Sequence, residues 1–222
     1  MEIFRQYASD LDQHYEKYEK ITKISRDITF ESKKAIFALQ RGGIDQALKS
    51  LKAIRDGKIF ELAKELQGSQ DYWIYRYAFS PGLQEYTEAR CFLDFVTAQP
   101  LSPLTHINSE FNYPIAPGFA IDLQSFLLGI LDLPGEVTRF AINAVGRGMP
   151  KVAIQSSNFL QQMLALFREV PLYRNREVES KLRVLEQSAD KLQRACYSIA
   201  IRGQEYPAEL MAESLFARDE GQ

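Results

Sequence analysis

The sequence predicts an all-α fold, a single-domain bundle of about seven helices with several of them long. Three observations carry this. Apolar residues recur at steps of three and four through most of the 222 residues, no segment alternates as a half-buried strand would, and most Gly and Pro residues fall between the periodic stretches.

Phe4, Tyr7, Leu11, Tyr18, Ile21 and Ile28 keep helical spacing, so the chain opens on one very long helix or two nearly collinear ones, ended by Gly42-Gly43. Ser25, Thr29 and Ser32 form a line of small residues there, suited either to close packing or to solvent. Ile44, Leu48, Leu51, Leu62 and Leu66 mark a second helix, with Asp56-Gly57 as an irregularity and a stop at Gln67-Gly68-Ser69. Asp71 is placed to cap an aromatic helix from Tyr72, and Ser80-Pro81 marks either a new start or a kink in a continuous helix. From about 99 to 121 the prolines Pro100, Pro103, Pro114 and Pro117 interrupt a stretch without period, which reads as an irregular connector. Asp122 caps an apolar helix in which Pro134 bends the backbone or costs about 3 kcal/mol, and Gly146-Arg147-Gly148 closes it. Lys151 to Phe167 is a further helix. Val178, Leu182, Leu185, Ala189, Leu192 and Cys196 then keep the 4-3 spacing of a coiled-coil-like seam, within the subunit or between subunits. Pro207 opens a short last helix.

Composition excludes several classes. With 45% hydrophobic residues, 25% charged residues and a net charge of -2, the chain is neither disordered nor basic enough to coat nucleic acid by bulk charge. No run approaches about 18 uninterrupted apolar residues, and the start lacks the pattern of a signal peptide, so a soluble intracellular protein is expected. Two cysteines, Cys91 and Cys196, and two histidines, His14 and His106, are too few and too scattered for a thiolate or histidine metal site. Free buried thiols and satisfied or surface histidines are the expectation.

The candidate chemistry lies in four acids. Glu85 and Glu88 are spaced i,i+3 and Asp132 and Glu136 i,i+4, so each pair projects two carboxylates from one side of one helix. The line Ser125, Gly129, Asp132, Glu136, Arg139, Asn143 is the sole non-aliphatic stripe on a helix that is otherwise apolar. A carboxylate withdrawn from water costs several kcal/mol unless it is paired, hydrogen-bonded, metal-bound or protonated. Pairing with Arg90 and Arg139 is one solution and a divalent metal is the other.

The runs Ile24-Ser-Arg-Asp-Ile-Thr-Phe-Glu-Ser-Lys-Lys-Ala-Ile-Phe, Gly82-Leu-Gln-Glu-Tyr-Thr-Glu-Ala, Leu127-Leu-Gly-Ile-Leu-Asp-Leu-Pro-Gly-Glu, Ile142-Asn-Ala-Val-Gly and Arg202-Gly-x-Glu-x-Pro resemble the translin superfamily, in order, over about residues 3 to 217. The resemblance implies a subunit of a barrel-like octamer, mixed with translin subunits or built from copies of itself. Such a barrel encloses single-stranded RNA and cuts it as an Mg²⁺-dependent endoribonuclease, with Mn²⁺ as an alternative ion and roles in RISC activation and RNA fragment processing. On matching positions Glu85, Glu88, Asp132 and Glu136 correspond to the acids of the catalytic branch, both as metal ligands and as catalytic groups. The implied location is cytoplasmic, with the nucleus as a second compartment. Three features depart from the family pattern: a short connector, the absence of a basic region at the start, and Pro134.

Two rival readings stay beside this one. A non-catalytic RNA-binding or scaffold subunit would use the acids only to pair cations, and a di-iron carboxylate bundle is disfavoured because neither histidine lies near the acids in sequence. The basic run Lys17, Lys20, Lys23, Arg26, Lys33, Lys34 is either a phosphate-gripping face or a solvated one.

Overall fold

The computed structural model describes residues 1–68, 70–170 and 175–202. Among them the regular elements are helical: α1 (Glu2–Gln40), α2 (Ile44–Ala53), a π-helical turn (Ile54–Ile59), α3 (Phe60–Glu65), α4 (Asp71–Ile74), α5 (Arg76–Val96), α6 (Leu104–Ser109), α7 (Leu123–Gly146), α8 (Pro150–Glu169) and α9 (Arg176–Arg202). The chain is all-α, as its periodicity requires. It divides into two compact units, Met1–Ile130 and Leu131–Gln222. The helix expected from Pro207 lies outside the described residues.

In the first unit α1 is one unbroken helix whose two halves differ. From Ile21 onward it buries Ile21, Ile24, Ile28, Ala35 and Leu39, whereas Phe4, Tyr7, Leu11, Tyr15 and Tyr18 on the first half are exposed. The buried half packs along α5. Ser25 and Ser32 are buried, so the line of small residues serves close packing. The Ser25 hydroxyl donates to the Phe79 carbonyl (3.3 Å) and accepts from the Gly82 amide (3.1 Å), on either side of Pro81. A proline inside a helix removes one amide donor, and a neighbouring hydroxyl inserted there is one way to settle the loosened backbone. Hence α5 runs through Pro81 and no helix starts there. A Cβ at Gly82 would stand 2.8 Å from the Ser25 carbonyl oxygen, and one at Gly129 would stand 2.6 Å from that of Gln84. Glycine at these two positions lets α1 and the start of α7 approach α5 at backbone distance.

The irregularity expected at Asp56-Gly57 is the π-helical turn. Its Arg55 carbonyl accepts a 2.6 Å hydrogen bond from Tyr113 Oη, which ties the turn to the connector. Asp71 differs from expectation. It is the first residue of α4, and its carboxylate accepts from the preceding Gly68 amide (2.7 Å) and from Lys17 (2.6 Å) instead of capping the helix it begins.

The connector contains α6 and is closed by side chains. Asn108 donates to the Ile121 carbonyl (3.1 Å) and accepts from the Ile121 amide (2.9 Å), while Phe111, Tyr113 and Ile121 are buried. This burial follows no helical period, which is why the sequence pattern reads as irregular. Asp122 caps α7 as expected, its Oδ1 accepting from the amides of Gln124 (3.0 Å) and Ser125 (3.1 Å). Arg76 and the Tyr72 hydroxyl donate to the same carboxylate. Helical geometry continues through Pro134 to Gly146. There Gly148 takes φ +76° and the Met149 amide reaches back to the Ala144 carbonyl (2.9 Å).

In the second unit α8 and α9 pack together. Gln161 bonds Gln193 (2.9 Å) and Arg168 bonds Glu186 (3.1 Å), so rising numbers on α8 meet falling numbers on α9 and the pair is antiparallel. Val178, Leu185, Ala189 and Leu192 are buried, so the 4-3 seam serves a contact within the subunit.

Two predictions follow from these contacts. Gly82→Ala should lower stability by about 1–3 kcal/mol through overpacking, whereas Gly135→Ala, with nothing within 4 Å, should be neutral or gain up to about 1 kcal/mol; urea midpoints compare them. For Asp122, burial raises the carboxyl pKa, but hydrogen bonds from Ser125 and Arg76 outweigh it and hold the carboxyl below its ordinary value. Its stability contribution is therefore present above the unfolded value near about 4 and is lost as pH falls through the lower folded value. Asp122→Ala should cost about 1–2 kcal/mol at neutral pH, and the gap to wild type should narrow below pH ~4 in urea titrations.

Candidate functional site

Each pair of acids is held by a long helix. On α5, Glu88 is buried and Glu85 half-buried. The hydroxyl of Thr87, between them, turns back to the Leu83 carbonyl (2.8 Å), and Gly129 of α7 seats against Gln84 and Thr87. This part of α5 is therefore fixed on two sides, by Ser25 and by Gly129. On α7, Asp132 and Glu136 are both half-buried.

The structure gives Glu85, Asp132 and Glu136 a basic neighbour. Lys33 Nζ of α1 lies 3.7 Å from Glu85, Lys181 Nζ of α9 lies 2.6 Å from Asp132, and Arg139 lies 3.4 Å from Glu136 one turn along the same helix. Pairing with Arg139 is thus as the sequence allows, but Arg90 is engaged elsewhere. Its guanidinium binds Asp94, one turn along α5, and lies 3.8 Å from Glu110. Asp94 also accepts from the Ser102 amide (2.8 Å). Lys181 was not singled out by sequence reasoning, although a signal exists: it shares a face of α9 with buried Val178 and Leu185, where an aliphatic residue fits the seam.

The donor set is entirely hard oxygen, which suits Mg²⁺ or Mn²⁺ and no soft metal. Among the described residues no group of three or more His, Cys, Asp or Glu side chains is arranged to hold an ion. What fits the metal is the charge balance: carboxylates drawn out of water are met here by ammonium and guanidinium groups, and a divalent cation satisfies the same demand.

Other candidates take structural roles. The ring of His14 hydrogen-bonds the Tyr75 hydroxyl (2.5 Å). In the basic run, Lys17 pairs with Asp71 (2.6 Å), Lys20 with Glu65 (2.7 Å) and Lys34 with Glu31 (2.8 Å), so these braces draw on charge that a phosphate grip would need. Lys23 and Arg26 stay exposed. No described helix is long and apolar enough to cross a membrane.

An all-helical subunit with paired acids on two long helices defines a class. A sequence profile of the translin family matches residues 16–203, and the chain belongs to that family. Within it, the chain is similar to translin-associated protein X of Rattus norvegicus, 33% identical over 247 residues that cover 99% of this chain and 85% of the rat protein. It is also similar to the translin-associated protein X homolog of Schizosaccharomyces pombe, 29% identical over 214 residues covering 90% and 88%. The rat alignment is longer than the 222 residues of the chain, so the rat protein carries residues this chain lacks. Among solved structures, a complex of AfC3PO with duplex RNA superimposes with TM-score 0.70 at 18% identity, covering 93% of this chain and 100% of that one. That similarity concerns the fold.

Both cysteines are free. Burial, with Asp94 nearby, pushes the Cys91 thiol up to about 12, and burial also raises that of half-buried Cys196. Iodoacetamide at pH ~8 should therefore label Cys196 ahead of Cys91, since only the thiolate reacts. Peptide mass spectrometry reads the order; equal rates would mean that the core around α5 opens freely.

Proposed function

We propose that this chain is the magnesium-dependent endoribonuclease subunit of a translin-type assembly, cutting single-stranded RNA with Glu85, Glu88, Asp132 and Glu136 as ligands and catalytic groups. The observation that carries the reading is a coincidence. Near full-length similarity to translin-associated protein X falls together with paired acids on α5 and α7 that are partly or wholly withdrawn from water and, at Glu85, Asp132 and Glu136, matched to basic side chains.

The residues of the chain do the following. Glu85 and Glu88 stand on a stretch of α5 fixed by Ser25 and Gly129, so their oxygens are positioned by packed helix instead of a loop. Asp132 and Glu136 add two oxygens from α7. Carboxylates on either helix repel a phosphodiester unless a cation offsets them, so binding of RNA beside them depends on the ion. Bound Mg²⁺, or Mn²⁺, supplies Lewis-acid polarisation of a phosphate oxygen and offsets the negative charge that develops during hydrolysis. Arg139 keeps Glu136 oriented. The partners proposed are translin subunits in a hetero-octamer, or further copies of this chain, and the exposed stripe Phe4, Tyr7, Leu11, Tyr15, Tyr18 supports an assembly that covers it. The setting proposed is cytoplasmic with access to the nucleus, in RISC activation and RNA fragment processing.

A second reading, a non-catalytic RNA-binding or scaffold subunit, is favoured by the basic partners already present on Glu85, Asp132 and Glu136. Cleavage of a short labelled single-stranded RNA separates the two. Mg²⁺ should support cutting and EDTA should abolish it. Glu88→Gln and Asp132→Asn should each bring the rate down to the metal-free control while helical circular dichroism and assembly mass stay as in wild type. Cutting at wild-type rate by either variant would remove the catalytic assignment.

A further inference from the structure

In the second unit Lys181 of α9 reaches Asp132 of α7. Nζ and Oδ2 are 2.6 Å apart, the lysine side chain is 21% exposed and the aspartate 36%. The lysine comes from α9, from a face on which Val178 and Leu185 are 3% and 0% exposed. A charged group set beside buried aliphatic neighbours persists where counter-charge holds it, and Asp132 supplies counter-charge at 2.6 Å.

We propose that Lys181 is the resident counter-ion of Asp132: a positioning residue that stands in for the metal in the apo chain and competes with the divalent cation for the same carboxylate. The proposal rests on the reading of Asp132 as a metal ligand. An oxygen that accepts a short bond from an ammonium is not free to sit about 2.0–2.1 Å from Mg²⁺, and two cations at one carboxylate repel each other. Binding of the metal to Asp132 therefore requires the ammonium to swing away. Lysine is suited to that exchange, since its charge is a compact point on a flexible four-carbon stem and can leave without any shift of α9. Before the exchange the ammonium holds the carboxylate in place at 2.6 Å. Metal affinity is then set partly by the strength of the contact that must break. Lys33 on Glu85 provides an internal comparison: at 3.7 Å and with the lysine 57% exposed, it is the weaker competitor.

The test is Mn²⁺ binding to the full chain, followed by calorimetry and by the electron paramagnetic resonance of free Mn²⁺, with circular dichroism as the folding control. Lys181→Met should tighten Mn²⁺ by about tenfold, Lys33→Met by less, and Lys181→Arg, which keeps the charge, should stay near wild type. If Lys181→Met fails to fold, Lys181→Gln carries the same expectation. A folded neutral variant that binds Mn²⁺ no more tightly than wild type, or an arginine variant that binds as tightly as the methionine one, overturns the proposal. Asp132→Asn separates this from the underlying reading. If it leaves wild-type affinity unchanged, or if wild type takes up no Mn²⁺, the assignment of Asp132 as a ligand fails and the competition fails with it.

Discussion

Backbone-distance packing against α5 is the constraint on which the first unit depends. Gly82 admits Ser25 of α1 on one side, and Gly129 admits α7 beside Gln84 and Thr87 on another. Close approach withdraws polar groups in the contact from water, so each gains from a protein partner. The Ser25 hydroxyl supplies one on each side of Pro81, and Ser80 and Ser125 bond each other at 2.9 Å. The small polar residues here are therefore not gaps in an apolar pattern. They let helices meet at a distance that larger side chains forbid, and the acids of α5 inherit a rigid support.

Charge is organised by a second device, in which several acids drawn out of water meet a base from a distant part of the chain. Asp71 meets Lys17, Glu110 meets Arg55, Asp122 meets Arg76 and Asp132 meets Lys181. A long ion pair of this kind contributes little to stability when exposed and more when both partners are withdrawn from water and hydrogen-bonded on their remaining sites. Asp122 is the fullest case, with two backbone amides, a serine, a tyrosine and an arginine on one carboxylate. There the charge is a structural cap. At Asp132 the second partner is a lysine on a flexible stem, which holds the charge without fixing it permanently. The same device thus yields a locked group and an exchangeable one.

The helices were largely legible because their period is imposed by burial. Ile21, Ile28 and Leu39 in α1, and Val178, Leu185 and Leu192 in α9, are buried where their spacing places them. The cap at Asp122 was legible for the same local reason. What sequence could not supply is whatever depends on distant parts of the chain. Asp71 has the composition of a helix cap, yet its carboxylate is taken by Gly68 and Lys17, and only the fold brings Lys17 near. Phe111, Tyr113 and Ile121 make the connector an ordered, buried layer without any period to betray it. The pairs of acids were legible within each helix, since i,i+3 and i,i+4 spacing is local, but Lys181, 49 residues from Asp132, was not.

This difference in range also bears on how a basic run should be read. Lys17, Lys20 and Lys34 look from sequence like one cationic face, and a salt-dependent grip on phosphates is a natural reading of such a face. In the fold each has an acid within 2.6–2.8 Å. A phosphate would have to displace those acids, and the displaced carboxylates would then lie beside the incoming anion and repel it. Charge already spent on a brace is poorly placed to bind, so the exposed Lys23 and Arg26 are the members of the run with more to offer an RNA backbone. A count of positive residues along a helix overstates its attraction for nucleic acid unless the acids that the fold brings up to it are subtracted.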